Sequence, residues 1–451
     1  MNALTEEMAD WISQLRYEDL PLETLTRAKE ILLDTVGCAL GALESVPVRS
    51  ARQAVREEGG SSRAMPIGLS WKTSCERAAF LDAMAIRYLD FNDYAISGSH
   101  ASINTAPALA VAQAQGLGGK ELLLGIVIGY EVQLRLREAT AHEKEDRWDQ
   151  STTVHYSAAA TAGKLLSLPS LKLAHALAIA GSHACTLAEV RRGRLSMWKG
   201  AAEPMGIRNG TFAALLARAG LTGPLTILEG EYGYGKVVAG GLNAEPLRQR
   251  PERFRILESC IKPWPCLFVA QAPVAAALRL RARGLTMESI EKITVALNDF
   301  GYEQQKRFLQ TGISTREDAD HSVPYCVIRA LQDGDLRLDH FEGEVFKDPS
   351  VLFMIPKVSL ERDPRLTKRV GARVELKLRD GRTLSEEILY PPGHVQNRLS
   401  HKDLREKFFK LAEKVLGKDR ATKAAEMILH GEELSNLDGL LDALRAQPEV
   451  P

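Results

Sequence analysis

The stretch KPWPC, residues 262–266, separates two hydrophobic patterns in a chain of 451 residues. Before it, apolar residues recur every three or four positions, as in LTRAKEILLDTVGCALGAL (residues 25–43), and this spacing predicts helices. After it, RVGARVELKLRDGRTLSEEILY (residues 369–390) alternates apolar and polar residues on both sides of Asp380-Gly381, which predicts a β-hairpin. The two prolines of KPWPC stiffen the backbone at this change of pattern.

The change of pattern predicts a mainly α chain with two domains. We expect a large helical domain over residues 1–266 and a smaller α+β domain over residues 267–392, in which EKITVALNDF (residues 291–300) is predicted to contain a strand. The pattern of residues 393–451 is helical again. By itself this pattern leaves open whether the tail rejoins the first domain or closes the second. The length and a hydrophobic fraction of 45% are sufficient for two cores.

The composition argues against several classes of protein. Lys+Arg and Asp+Glu both number 58, so the chain lacks the basic excess that is typical of nucleic-acid-binding proteins. No apolar run reaches ~18 residues and no signal-peptide pattern occurs, so we expect neither a membrane span nor secretion. The six cysteines are scattered without CxxC spacing, which predicts reduced thiols, a cytoplasmic location and no zinc or iron–sulfur site. No Gly-rich nucleotide-binding motif is found.

The stretch YLDFNDYAISGSHASINTAPAL, residues 88–109, joins two helical patterns and is rich in reactive side chains. It contains carboxyl, phenol and imidazole groups that suit acid–base chemistry, on Asp90, Asp93, Tyr94 and His100. A simpler interpretation is that the acids cap the next helix or form local salt bridges.

A second cluster, EVRRGRLSMWKG (residues 189–200), follows a predicted buried helix. Its arginines, Arg192 among them, suit carboxylate recognition because a guanidinium binds a carboxylate through two parallel hydrogen bonds. Lys199 follows Met197 and Trp198, so partial desolvation is expected to lower its pKa. The alternative is a basic turn exposed to solvent.

Three further motifs supply candidate residues. Asp149 and Gln150 precede an Ala-rich helix, where they either bind a substrate or cap the helix. Lys262 lies at the change of pattern, where a domain boundary would form a cleft. The DADHSVPYC motif places His321 and Tyr325 in the smaller domain, either across that cleft or at an ordinary helix start.

Taken together, the motifs YLDFND, LSMWKGAAEPMGIRNGTFAALLARAGLTGP, ILEGEYG, KPWPC and DADHSVPY resemble the MmgE/PrpD family. This family includes 2-methylcitrate dehydratases, cis-aconitate decarboxylases and an iminodisuccinate epimerase. The resemblance implies a large all-helical domain built from both chain ends, with a smaller α+β lid inserted, so residues 393–451 would rejoin the helical domain. It also implies a homodimer without a metal or an organic cofactor.

The resemblance further implies site residues. The catalytic set is Asp90, His100, Lys199 and Tyr325. The set assigned to substrate binding is Tyr94, Asp149, Gln150, Arg192, Lys262 and His321. Two positions depart from the family pattern, because Gln150 and Val269 stand where many members have histidine.

The resemblance implies a cofactor-independent lyase. The expected reaction is the removal of water from a small anionic polycarboxylate resembling 2-methylcitrate, through proton abstraction next to a carboxylate. Isomerisation or epimerisation of a small dicarboxylate is the first alternative, and decarboxylation of the cis-aconitate type is the second. A member without catalytic activity that only binds its ligand is the remaining alternative. In the predicted reaction His100 transfers the proton at carbon, while Asp90 orients its imidazole or shuttles a proton. Lys199 binds a carboxylate or protonates the leaving group, and Tyr325 closes the site.

Overall fold

The computed structural model describes residues 2–140, 148–192, 194–248, 250–367 and 370–446, with the side chains of residues 307–311 excepted. The last five residues of the predicted C-terminal segment lie outside this description. The α-helices are α1 (Leu4–Gln14), α2 (Leu22–Ala42), α3 (Val46–Glu57), α4 (Cys75–Tyr88), α5 (Thr105–Gln115), α6 (Gly119–Ala139), α7 (Val154–Leu165), α8 (Ser170–Gly181), α9 (Ala202–Arg218), α10 (Tyr234–Val237), α11 (Glu245–Arg248), α12 (Gln271–Arg281), α13 (Asp299–Thr311), α14 (Arg316–His321), α15 (Val323–Asp333), α16 (Pro349–Met354), α17 (His401–Leu416), α18 (Lys418–Leu429) and α19 (Asp438–Ala443).

Helices from both ends of the chain share the larger hydrophobic core. α2 is buried along most of its length because it carries apolar residues on nearly all faces, and α17 packs against it. Their close approach requires a glycine, since a Cβ atom at Gly41 would lie 2.8 Å from Leu411 Cδ2. Phe408 and Leu411 of α17 thus belong to the same core as Ile31 of α2. The predicted mainly α fold, in which C-terminal helices return to the helical body, is confirmed.

The smaller core surrounds a four-stranded sheet. The strands of the chain are β1 (Tyr94–Ala95), β2 (Ser259–Cys260), β3 (Ile290–Leu297), β4 (Val358–Arg362), β5 (Ala372–Leu378) and β6 (Thr383–Ile388). The sheet order is β4-β3-β5-β6, with β3 parallel to β4 and the other pairs antiparallel. Gly381, with φ +87°, lies in the turn between β5 and β6, so the predicted hairpin is confirmed. α12 packs on β5 and β6, and α15 packs on α12.

A two-stranded ribbon holds distant parts of the chain together near the candidate site. β1 pairs with β2 in antiparallel register, with Tyr94 opposite Cys260. The loop that follows α4 is thereby fixed beside the segment that leads into KPWPC. The ribbon explains how Asp90 and Lys262, which are far apart in sequence, become neighbours.

Among the described residues, no single helix is long and apolar enough to cross a membrane. α2 and α3 pass the length and composition criteria only as a pair, and the two axes are bent by 86° at the break between them.

Candidate active site

Asp90 lies just beyond the C-terminus of α4, in the left-handed backbone region with φ +50°. Aspartate is one of the few residues besides glycine that visit this region routinely. Its side chain pairs with Arg87 of the last turn of α4, at 2.5 Å from the guanidinium to Oδ1. Both side chains are 1% exposed, so this is a buried ion pair. Arg87 also pairs with Glu203 of α9, and the guanidinium therefore links two acids.

Two buried lysines approach the same carboxylate from other parts of the chain. Lys262 Nζ donates to the main-chain carbonyl of Asp90 at 2.7 Å and lies 3.2 Å from Asp90 Oδ2. Lys199 belongs to the short 3₁₀ helix before α9, and its Nζ lies 3.7 Å from Asp90 Oδ1. Asp90 therefore balances the charges of three cations, including Arg87.

The C-terminal end of α14 brings an imidazole and a second carboxylate to this point. His321 Nδ1 contacts Asp320 Oδ1 and lies 3.3 Å from Lys199 Nζ. Because an ionised carboxylate only accepts hydrogen bonds, Nδ1 of the neutral ring carries the proton. Arg316 holds the other oxygen of Asp320 at 2.9 Å. We call the following residues the buried cluster: Asp90, Lys199, Lys262, Asp320 and His321.

The charges within the buried cluster set its protonation states. Burial favours a raised pKa for Asp90, but the neighbouring cations, Lys199 first, outweigh it and hold this pKa well below its usual range. Burial lowers the pKa of Lys199 to about 8, although Asp90 and Asp320 oppose the shift. Burial and the adjacent Lys199 ammonium lower the pKa of His321 to about 4. At neutral pH the cluster thus combines ionised acids, a neutral imidazole and an ammonium that is more acidic than an exposed lysine.

His100 is a neutral imidazole with a fixed tautomer. Its Nδ1–H donates to the main-chain carbonyl of Asp93 at 2.7 Å, because a carbonyl oxygen only accepts. Nε2 is therefore the basic nitrogen of the ring. Burial lowers the pKa of His100 well below its usual range, and the positive charges of Arg87 and Lys262 act in the same direction. Tyr130 donates to the Asp93 carboxylate at 2.7 Å and holds the loop behind the ring.

A cavity of about 780 Å³ adjoins the buried cluster between the two domains. Its cationic and imidazole lining residues are Arg87, His100, Arg137, Arg191, Arg192, Lys306 and His321. Its acidic lining residues are Asp149, Asp299 and Glu303. An apolar part of the wall consists of Trp148, Leu267, Phe268 and Phe300.

The size and the charge of this cavity indicate the kind of molecule that fits it. Enclosed spaces of a few hundred Å³ with a small number of convergent polar groups are typical of small-molecule sites. The surplus of cations over acids suits an anion that carries several carboxylates. Within the part of the chain that the structure describes, no group of three or more His, Cys, Asp or Glu side chains is placed to hold a metal ion.

Four of the residues predicted to bind the substrate lie at the cavity wall, namely Asp149, Gln150, Arg192 and His321. The Asp149 carboxylate accepts hydrogen bonds from the amide of Ser151 at 3.0 Å and from its hydroxyl at 2.6 Å, so it caps the 3₁₀ turn that precedes α7. It also pairs with Arg191. Asp149 thus caps a helical turn, which is one of its two predicted roles, and in addition it holds an arginine of the cationic wall in place.

Five predicted residues do not line the cavity: Asp90, Lys199 and Lys262 belong to the buried cluster behind its wall, and Tyr94 and Tyr325 lie in the smaller core. The hydroxyl of Tyr325 donates to the main-chain carbonyl of His340 and accepts a hydrogen bond from Arg329 Nε at 3.2 Å, both inside the smaller domain. Tyr94 lies behind the wall, where its ring stacks on Phe268 with ring centroids 5.4 Å apart. The contacts of both tyrosines are therefore with the smaller core and not with the buried cluster.

Sequence reasoning missed Arg87 and Glu203. The spacing of three between Arg87 and Asp90 is a recognisable signal for an ion pair at a helix end. No local signal exists for Glu203, which meets Arg87 across 116 positions of the chain. Val269, where many family members have histidine, is buried in the smaller core.

A helical body made from both chain ends, joined to an α+β domain across a buried acid–base cluster, defines a two-domain helical enzyme. The chain belongs to the MmgE/PrpD family, because the MmgE/PrpD N-terminal domain matches residues 6–247 and the MmgE/PrpD C-terminal domain matches residues 264–432. The family predicted from the sequence motifs is thereby confirmed.

Relatives with known names align along most of the chain. Cis-aconitate decarboxylase of Mus musculus is 26% identical over 468 residues, which cover 99% of this chain and 94% of the relative. Cis-aconitate decarboxylase-like protein oryM of Aspergillus oryzae is 25% identical over 472 residues, covering 97% and 96%. 2-Methylcitrate dehydratase of Salmonella typhimurium is 26% identical over 438 residues, covering 87% and 86%. Decarboxylases and dehydratases are both lyases, so the predicted enzyme class is confirmed at the level of the family.

Proposed function

We propose that this chain is a cofactor-independent lyase that removes water from a small polycarboxylate resembling 2-methylcitrate. The reaction breaks a C–H bond next to a carboxylate and the C–O bond of a neighbouring hydroxyl group, and it forms a carbon–carbon double bond. One group must accept the proton from carbon. A second group must donate a proton to the leaving hydroxide, which departs as water.

One observation carries the proposal: a neutral imidazole lines the cavity, and a buried ammonium lies directly behind its wall. His100 lines it directly. Lys199 lies directly behind it, 3.3 Å from the lining residue His321. Elimination of water needs both a base and an acid, and these two groups have the protonation states that the roles require.

His100 is the proposed base. Its Nδ1 is committed to the carbonyl of Asp93, so Nε2 is the nitrogen that accepts the proton from carbon. Its lowered pKa keeps the ring unprotonated at neutral pH, and Arg87 and Lys262 contribute to that shift. Once it has accepted a proton, the imidazolium returns it readily to solvent, because the same surroundings disfavour its charge.

Lys199 is the proposed acid. With a pKa of about 8, roughly ten molecules in eleven carry the ammonium at pH 7. The charged form is nevertheless much easier to deprotonate than that of an exposed lysine. Asp90 and Asp320, at 3.7 and 3.9 Å, keep the ammonium protonated until the leaving hydroxide develops negative charge.

The cationic wall is the proposed binding surface for the substrate carboxylates. Arg192, Arg137 and Lys306 line the cavity, and guanidinium groups bind carboxylates bidentately. These charges also stabilise the electron density that builds up on a carboxylate when the neighbouring carbon loses a proton.

Decarboxylation of a cis-aconitate-like acid is the second candidate. It is supported by the alignment with Mus musculus cis-aconitate decarboxylase, which covers 94% of that enzyme, against 86% for the dehydratase of Salmonella typhimurium. That reaction needs an acid to protonate the carbon that loses CO₂, but it needs no base. Epimerisation needs a base on one face of the substrate carbon and an acid on the other face that returns a proton to it; the imidazoles of His100 and His321 both line the cavity.

The test is product analysis with a panel of 2-methylcitrate, citrate, cis-aconitate and small hydroxy-dicarboxylates in D₂O. Dehydration is expected to give an unsaturated product that absorbs in the ultraviolet. Its ¹H NMR spectrum should show a vinyl signal or, where 2-methylcitrate loses the proton on its methyl-bearing carbon, an allylic methyl singlet. Release of CO₂ without a prior loss of water would instead establish the decarboxylase. Deuterium incorporation with inversion and no alkene would establish the epimerase.

The matched control for this panel is His401→Asn. His401 lies at the exposed start of α17, with 75% of its side chain accessible. This variant should give the same products at the same rate as the unchanged chain, whereas His100→Asn should form them about 10²–10⁴-fold more slowly. Equal rates for both variants would remove His100 from the reaction.

We also propose that the chain forms a homodimer and that it is cytoplasmic, and these two proposals do not depend on the candidate active site. The resemblance to the family supports a homodimer, which light scattering in solution would test by a mass of twice 49.6 kDa. The six cysteines are free in the structure, which is compatible with the cytoplasm, and localisation of a tagged chain would test this.

A further inference from the structure

A second cavity, of about 1160 Å³, shares no lining residue with the candidate active site. Five arginines line it: Arg49, Arg52, Arg56, Arg420 and Arg445. Its acidic lining residues are Glu57 and Asp442. The whole chain has a formal net charge of zero, so this surplus of guanidinium groups is a local concentration of positive charge. Such a concentration attracts anions. We call this space the arginine cavity.

One wall of the arginine cavity is a row of arginines on α3. Arg49, Arg52 and Arg56 are spaced by three and four positions, which places them along one face of the helix. At a rise of 1.5 Å per residue the row extends over about 10 Å. Arg52 is held by a hydrogen bond to the carbonyl of Leu43 at 2.7 Å. A row of this length suits a chain of linked phosphates better than a single carboxylate.

The opposite wall comes from the C-terminal helices. Arg420 donates to the main-chain carbonyl of Asp442 at 2.8 Å, and Arg445 pairs with the Asp442 carboxylate at 2.6 Å. That carboxylate is therefore already neutralised. Among the described residues, Nε of Arg445 is buried and has no hydrogen-bond partner. A buried donor without a partner is costly, and an oxygen of a bound anion would satisfy it.

An aromatic side chain completes the cavity. Trp71 lines it beside Leu69 and Ser70, and its indole is half-buried. A flat indole surface next to phosphate-binding arginines is suited to stacking of a nucleobase.

From these features together we propose that the arginine cavity binds a nucleoside di- or triphosphate, with its phosphates against the arginines and its base on Trp71. No local sequence motif indicates this nucleotide site, because its residues come from separate parts of the chain: from α3, from the loop after α3 and from the last two helices.

The test is isothermal titration calorimetry of the full chain with ADP and ATP. Arg49→Gln together with Arg56→Gln should weaken binding at least tenfold. Both side chains are exposed, so the double variant should fold. The matched control is Arg16→Gln together with Arg382→Gln, two exposed arginines elsewhere on the surface, and it should bind as the unchanged chain does. Trp71→Ala should weaken ADP binding at least fivefold and leave the binding of inorganic triphosphate unchanged.

Three results would overturn the proposal. The first is no binding of ADP or ATP at millimolar concentration. The second is loss of binding in Arg192→Gln but not in the Arg49/Arg56 double variant, because the nucleotide would then occupy the candidate active site. The third is an unchanged ADP affinity in Trp71→Ala, which would leave a polyphosphate site without nucleotide recognition.

Discussion

Replacing Asp90 by asparagine keeps the volume of the side chain and removes the carboxylate that balances the buried cations. Lys199 Nζ lies 3.7 Å from Asp90 Oδ1. At an effective dielectric constant of ~20, Coulomb's law gives this pair an interaction of about 4 kcal/mol, which corresponds to about three pKa units. Asp320 remains 3.9 Å away and still supports the ammonium. We therefore expect the pKa of Lys199 to fall from about 8 by roughly one to three units in Asp90→Asn.

The assay is the dependence of kcat/KM on pH between 5 and 10. A protonated Lys199 is required in the proposed reaction, so activity is present below the pKa of Lys199 and is lost as the pH rises through it. For the unchanged chain the alkaline limb should lie near pH 8. In Asp90→Asn it should move to lower pH by roughly one to three units, and kcat/KM at pH 8 should fall by roughly 5- to 500-fold, in proportion to the loss of the protonated form. On the acid side, activity should persist well below pH 6.5, because the pKa of His100 is lowered.

The control for this profile is Glu303→Gln, which removes a carboxylate from the cavity lining outside the buried cluster. Its alkaline limb should stay where it is in the unchanged chain. Removing one partner of a buried ion pair costs about 3–5 kcal/mol, so thermal unfolding of Asp90→Asn has to be followed in parallel. A folded Asp90→Asn variant with its alkaline limb still near pH 8 would refute the assignment of Lys199 as an acid controlled by Asp90.

Three further predictions concern single side chains. His100→Asn should slow the rate of deuterium incorporation at the substrate carbon, measured by ¹H NMR, by a factor of about 10²–10⁴. An unchanged rate would identify another base. Lys199→Met should lose activity by a factor of about 10²–10⁴ yet be more stable at pH 7 by up to about 3 kcal/mol in urea unfolding, because a folded-state pKa of about 8 means that burial disfavours the ammonium. A less stable variant would contradict this. Tyr325→Phe should keep kcat/KM within about threefold but lose about 1 kcal/mol of stability, because its hydrogen bond to His340 is lost. A hundredfold loss of turnover would restore Tyr325 to the catalytic set.

Local sequence patterns predict much of the fold. The alternation around Gly381 and the helical spacing before KPWPC are short-range signals, and they predict β5, β6 and the helices of the first half correctly. Local patterns do not predict which domain the C-terminal segment joins, because the pattern of α17 is equally compatible with either domain. What fixes it is the fit of Leu411 against Gly41 of α2, a contact between the two ends of the chain. Only the family resemblance anticipated that contact.

The sequence predicts which residue types form the candidate site better than it predicts how these residues are arranged in space. The sequence indicates Asp90, His100 and Lys199 as candidates because each lies in a short stretch that is rich in titratable side chains and that adjoins a helical pattern. Asp90 and Lys262 are brought together by the pairing of β1 with β2, and no local sequence pattern predicts this pairing. Tyr325 shows the opposite failure: its position in the motif is right, but the helix turns its hydroxyl toward His340 in the smaller core.

The central claim is that His100 and Lys199 act on one substrate molecule as a single acid–base unit. A double-mutant cycle on kcat, with His100→Asn, Lys199→Met and the combined variant, tests it most directly. Residues that act as a unit are strongly non-additive, so the combined variant should be no more than about tenfold slower than the slower single variant. A combined loss equal to the product of the two single losses would mean that the two groups act independently, and the proposed mechanism would be wrong.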